Sequence, residues 1–154
     1  MAMIRNDDVI DTLNELIENC KDGEYGFNEL ADHTQSNELR ALFRNRAMGC
    51  AEAAAELQRC AAEYGGRAEN SGSVAGAVHR GWVSVRSALS SHNDQAMLEE
   101  CERGEDAALA RYRRALDRDL PAEVRTLIAR QLEGAQRNHD QIKALRDSYL
   151  TTAA

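Results

Sequence analysis

The chain has 154 residues, and its 25 alanines and single proline against six valines and two phenylalanines make a composition suited to helix rather than strand. Residues 1–154 are long enough for a single domain with its own core, which excludes a disulfide-stapled scaffold. With 26 acidic and 19 basic side chains the net charge is −7, so nucleic acid and an anionic membrane surface are poor partners.

Met1 to Asp11 carries charges where a signal peptide would be apolar, and no stretch approaches the roughly 18 apolar residues of a membrane span. A cytoplasmic protein is expected. The cysteines at 20, 50, 60 and 101 form no CxxC pair and read as buried free thiols.

In chain order, the first apolar stripe runs through Val9, Leu13, Leu16, Cys20, Phe27 and Ala31 at steps of three and four, which predicts a helix over about 7 to 33. Ser36 is placed to cap a second helix. Its stripe, from Leu39 through Phe43, Arg46, Cys50, Ala53, Leu57 and Cys60 to Tyr64, stops at Gly65 and Gly66. A shorter helix follows, with Val74, Val78, Trp82, Val85 and Leu89 on one side. After His92 and Asn93 another stripe runs through Met97, Cys101, Glu105, Ala108, Tyr112 and Ala115. The basic cluster Arg111, Arg113, Arg114 and Arg118, broken by Asp117 and Asp119, reads as a solvated face of that helix. Pro121 suits the first turn of a last helix carrying Val124, Ile128, Gln131, Ala135, Asn138, Ile142, Leu145 and Tyr149.

Four of these helices would be roughly 36 to 44 Å long. The joints at 34–35 and 118–120 are short, so each closes an antiparallel hairpin. Two hairpins with a shorter helix between them predict an all-α, ferritin-like four-helix bundle with a long crossover. An up-and-down bundle with an appended fifth helix is the competing topology.

The stripes contain charged exceptions. Glu24, Arg46 and Glu105 occupy inward positions, all about 16 Å from the bundle end where the first hairpin turns, counting 1.5 Å per residue. Glu102, three residues before Glu105, is placed to reach His139 on the last helix. Gly23, Gly26, Gly49, Gly104 and Gly134 gather at the same height. Each costs about 1 kcal/mol relative to alanine inside a helix, which points either to close helix approach or to room for a ligand.

This pattern resembles ferritin-like di-metal proteins, whose four helices supply two single glutamates and two Glu-x-x-His pairs. Glu24 and Glu105 match the single glutamates. The pairs are missing, because Leu30, Gly76, Leu89 and Gln136 stand three before His33, His79, His92 and His139. Arg46 takes the place of a carboxylate and would repel a cation. The strings DGEYGF at 22–27, SVAGAVHRGW at 73–82, ECERGED at 100–106 and NHDQIKALRD at 138–147 also resemble a bacterial ferritin-like four-helix-bundle domain family of unknown function, over about residues 5 to 149. That resemblance implies the fold and leaves substrate, cofactor and reaction open.

The expected function is a non-catalytic binding or structural protein that self-associates through an exposed face. Its buried polar centre would comprise Glu24, Arg46, Glu102, Glu105 and His139, with an ion-pair network replacing the metal site. If Arg46 is buried between two glutamates, truncating it to alanine costs about 3 to 5 kcal/mol. If it turns to the surface, the loss is below about 1 kcal/mol. The alternative is a di-iron or di-manganese oxidase or storage subunit using Glu24, Glu102, Glu105 and His139. His79 and Trp82 read as packing residues, Cys20 and Cys50 as neighbours across the first hairpin, and Ser73, Ser84 and Ser87 lack the partners of a nucleophile.

Overall fold

A computed structural model describes residues 6–66 and 93–153 and shows an all-α bundle. Its helices are α1 (Asn6–His33), α2 (Asn37–Glu63), α3 (Asp94–Leu116) and α4 (Ala122–Ala153). The shorter helix expected between 66 and 93, with His79, Trp82 and the three serines, lies outside the described residues.

The helix ends follow local chemistry. The Ser36 hydroxyl accepts from the Leu39 amide at 3.1 Å and Asn93 Oδ1 accepts from the Gln95 amide at 2.9 Å, so each cap satisfies one amide that the first turn leaves unpaired. α2 stops at Tyr64, where Gly65 takes a φ of 84° that a side chain would oppose. Pro121 sits just before α4 rather than inside its first turn, and its carbonyl accepts the first helical bond from the Arg125 amide at 3.0 Å.

Cross-links at the two ends set the helix directions. Thr34, in the α1–α2 turn, donates to Asp94 Oδ1 at 2.7 Å, which places the start of α3 beside the end of α1. At the opposite end Arg118 donates to Thr12 and Glu15, and Tyr64 bonds Glu123. α1 and α2 therefore form one antiparallel pair, α3 and α4 another, and α2 and α3 point the same way.

The core is divided. One apolar cluster joins Val9 to Cys20 of α1, Ala54 to Ala61 of α2, Tyr112 and Ala115 of α3, and Val124 and Ile128 of α4. The other joins Phe27 to Ala31, Leu39 to Ala47, Met97 to Cys101, and Ile142. All four helices contribute to both, and the gap between the clusters falls at the height of the predicted charged level.

The glycines at that height differ in role. A Cβ on Gly23 would come within 2.8 Å of Cys50 Sγ, so this glycine lets α1 and α2 approach closely. Gly49 is exposed, with nothing within 4 Å of the place a Cβ would take. Gly49→Ala is therefore expected to raise stability by about 1 kcal/mol, read as a higher urea midpoint with an unchanged slope. A drop would mean that the backbone at Gly49 needs glycine for a reason other than space.

Candidate functional site

Between the two core clusters lies a cavity of about 210 Å³. α1 and α3 supply its buried wall, including Asn19, Cys20, Gly23, Gly104 and Glu105. The α2 and α4 residues on it are mostly half-buried or exposed: Gly49, Cys50 and Ala53 face Gly134, Ala135 and Asn138. The cavity thus opens along the α2–α4 seam, where small side chains keep the helices from sealing it.

Polar clasps hold that seam on either side of the opening. Toward the α1–α2 turn, Arg46 Nη2 of α2 donates to Gln141 Oε1 of α4. Toward the other end, Gln131 Nε2 donates to Glu56 Oε1 at 2.8 Å and to the Ala53 carbonyl at 3.3 Å. The Gln131 bond, and Arg130 beside it, hold the Glu56 carboxyl below its ordinary pKa against a smaller effect of burial.

Arg46 and Glu105 both line the cavity, and they are only 9% and 8% exposed. Arg46 Nε and Glu105 Oε1 are shielded from solvent and have no hydrogen-bond partner among the described residues. Burial pushes the Glu105 carboxyl from 4.5 up to about 8; Arg46 opposes the shift, and Asp106 and Glu102 add to it. At neutral pH Glu105 is therefore mainly a carboxylic acid, able to donate as well as accept.

The polar centre expected from sequence divides into two places. Arg46 and Glu105 meet at the cavity. Glu102 and His139 meet on the outer side of α3 and α4, where their ligand atoms and that of Asp106 lie within 4.8 Å of one another. Glu24 is half-buried and belongs to neither group, although it is close enough to act on the Cys50 thiol alongside Glu105.

Arg46 bonds Gln141 rather than bridging Glu24 and Glu105, and helix direction explains the difference. Side chains lean toward the N-terminus of their own helix. Arg46 and Glu105, on the parallel helices α2 and α3, lean toward the α1–α2 turn, while Glu24 on antiparallel α1 leans away. Gln141, on α4, leans back down to meet the guanidinium. Equal heights along the axis therefore did not make three partners.

For a metal, the donors that converge among the described residues are Glu102, Asp106 and His139, not the set containing Glu24 and Glu105. All three already have partners: Glu102 pairs with Arg146, and Asp106 Oδ1 lies 2.6 Å from His139 Nε2. A cation there would have to displace an arginine, so this donor set fits a di-metal centre poorly.

Other site residues escaped the sequence reading. Asn19 and Asp22 are buried polar residues on α1, off the stripe that marked its inward face. Arg111, expected on a solvated face, is half-buried at the cavity wall and donates to Asn19 Oδ1 at 3.0 Å, whereas Arg113, Arg114 and Arg118 are exposed as expected. Tyr112 donates to Gln131 Oε1 at 2.8 Å and lies 3.4 Å from Cys20 Sγ, which extends the polar wall. Cys20 and Cys50 share the cavity, as their register suggested. Burial pushes the Cys20 thiol to about 11 and the Cys50 thiol well above its ordinary value, which keeps both uncharged and poorly nucleophilic.

No helix among the described residues is long and apolar enough to cross a membrane. The profile of a family described as Domain of unknown function (DUF2383) matches residues 8–118. No curated protein matches the sequence.

Proposed function

Since the chain belongs to the DUF2383 family, whose description assigns no activity, we propose from the site itself that it is a non-catalytic binding protein that holds a small molecule between its helices. The observation that carries this reading is the cavity between the two core clusters, lined by Arg46 and Glu105, each of which carries a buried polar atom without a hydrogen-bond partner among the described residues. Buried donors and acceptors are normally paired, because an unpaired one keeps its desolvation cost without a compensating bond. A ligand supplying the missing partners would recover that cost and fill the gap in the core.

The parallel course of α2 and α3 supports placing this site in a ferritin-like bundle. An arginine at the centre, and carboxylates that do not converge around it, favour an organic ligand over the di-metal alternative. Self-association through an exposed face stays part of the proposal, with sedimentation as its check.

The cavity itself can be tested with a non-polar probe. An apolar void of about 150 Å³ takes up benzene, so this one is large enough. Benzene is expected to raise the melting temperature of the wild-type chain and not that of Ala135→Leu, whose larger side chain fills the cavity from α4. Equal responses from both proteins would sink the cavity as the binding place.

A further inference from the structure

We propose that the ligand of the mid-bundle cavity is a small monocarboxylic acid with an apolar body of about one ring, its carboxylate accepting from Arg46 and from the carboxyl group of Glu105. This rests on the binding reading above and specifies its ligand.

Charge is the first ground. Arginine is always cationic in a protein, and a buried cation is costly unless an anion faces it. Arg46 is buried, and its one polar partner among the described residues is the neutral amide of Gln141. Its Nε faces no acceptor. The guanidinium has therefore left water without gaining a counter-charge, and a bound carboxylate would supply one through charge-assisted bonds.

The neighbouring groups point the same way. On α1 Asp22 lines the cavity and Glu24 lies near Cys50; on α2 stand Arg46 and Cys50. On α3 Glu102 and Asp106 both disfavour ionisation of Glu105, Cys101 lies close by, and Arg111 lines the cavity beside Asn19; on α4 His139 is paired with Asp106. Burial and this acidic neighbourhood hold Glu105 protonated at neutral pH, so it can donate to the second carboxylate oxygen instead of repelling it. A ligand amine would meet the guanidinium charge. A neutral amide would leave that charge uncompensated.

Shape supplies the rest. The apolar part of the wall is Phe27, Ala53, Ala108 and Ala135, and the volume of about 210 Å³ exceeds what benzene alone needs by roughly the size of one polar head group.

Titration calorimetry on the full chain with benzoate, benzamide and benzylamine tests this directly. At about pH 6.5 benzoate is expected to bind at least about tenfold more tightly than either competitor, as one charge-assisted bond would give. Its affinity should fall tenfold or more by about pH 9.5, where Glu105 ionises and repels it. Glu105→Gln keeps a donor and loses the titration, so its benzoate affinity should barely change with pH. Arg46→Met should weaken benzoate about tenfold to hundredfold and leave benzamide nearly unaffected. Helical circular dichroism shows whether each variant is folded. Benzamide binding as well as benzoate would overturn the carboxylate and leave the cavity as a binding site. Failure of all three probes and of benzene would overturn the binding function as well.

Discussion

In urea titrations at about pH 9, Glu105→Gln is expected to be more stable than the wild-type chain by up to about 5 kcal/mol, while at about pH 4.5 the two should differ by less than about 1 kcal/mol. Glu105 is protonated in the folded protein up to about 8, whereas in the unfolded chain it loses its proton near 4.5. Between those values the native state binds the extra proton, so wild-type stability falls as pH rises. Its contribution is complete below the unfolded pKa and lost as pH passes the folded one. Glutamine has nearly the same shape and does not titrate, so the difference between the two proteins isolates this group from every other ionisation. Parallel pH profiles would show that Glu105 is hydrated or paired in solution.

Arg46→Met carries the second large effect, with a sign opposite to that of a broken ion pair. Had Arg46 neutralised two glutamates, removing it would cost about 3 to 5 kcal/mol. In the structure the guanidinium is buried with Gln141 as its polar partner and no ion pair among the described residues. Methionine keeps most of the volume and removes the unpaired charge, so at about pH 6 the variant should gain about 1 to 4 kcal/mol. Arg46 is also the positive charge that restrains the Glu105 pKa, so the variant should push that pKa higher and lose more stability than wild type as pH rises toward 9. A loss of several kcal/mol at about pH 6 would mean that a carboxylate engages the guanidinium after all. Double-mutant cycles with Glu105→Gln would then measure the coupling.

Stability and binding therefore make opposite demands on the same two side chains. Substituting either one is expected to stabilise the empty bundle at some pH, yet Arg46 is the residue whose loss should weaken carboxylate binding about tenfold to hundredfold. Retaining an unpaired charge in a core is a recurrent cost of a site that needs a ligand to complete it.

Much of this was legible in the sequence. The steps of three and four from Val9 to Ala31 mark a buried face, and so do Val124, Ile128 and Ile142 of the last helix, because helix geometry alone brings such residues to one side. Ser36 and Asn93 signal their helices through cap chemistry that needs no tertiary partner. Counting residues from the first turn also put Arg46 and Glu105 at one level, and both line the same cavity.

The pairing at that level was not legible, because it depends on which way each side chain leans and hence on the direction of its helix. Nor was the burial of Asn19 and Asp22 or the half-burial of Arg111, which lie off the periodic stripes; Asn19 and Arg111 meet only because α3 packs against α1 there. Periodicity, capping and rise per residue are local properties, so the helices, their inward faces and a charged, glycine-rich level midway along them can be read from the residues alone. That the level is a cavity opening between α2 and α4, with Arg46 Nε and Glu105 Oε1 unpartnered among the described residues, follows only from how the four helices pack. Whether helices touch or stand apart depends on the side chains of all four at once, and no single stripe contains that information.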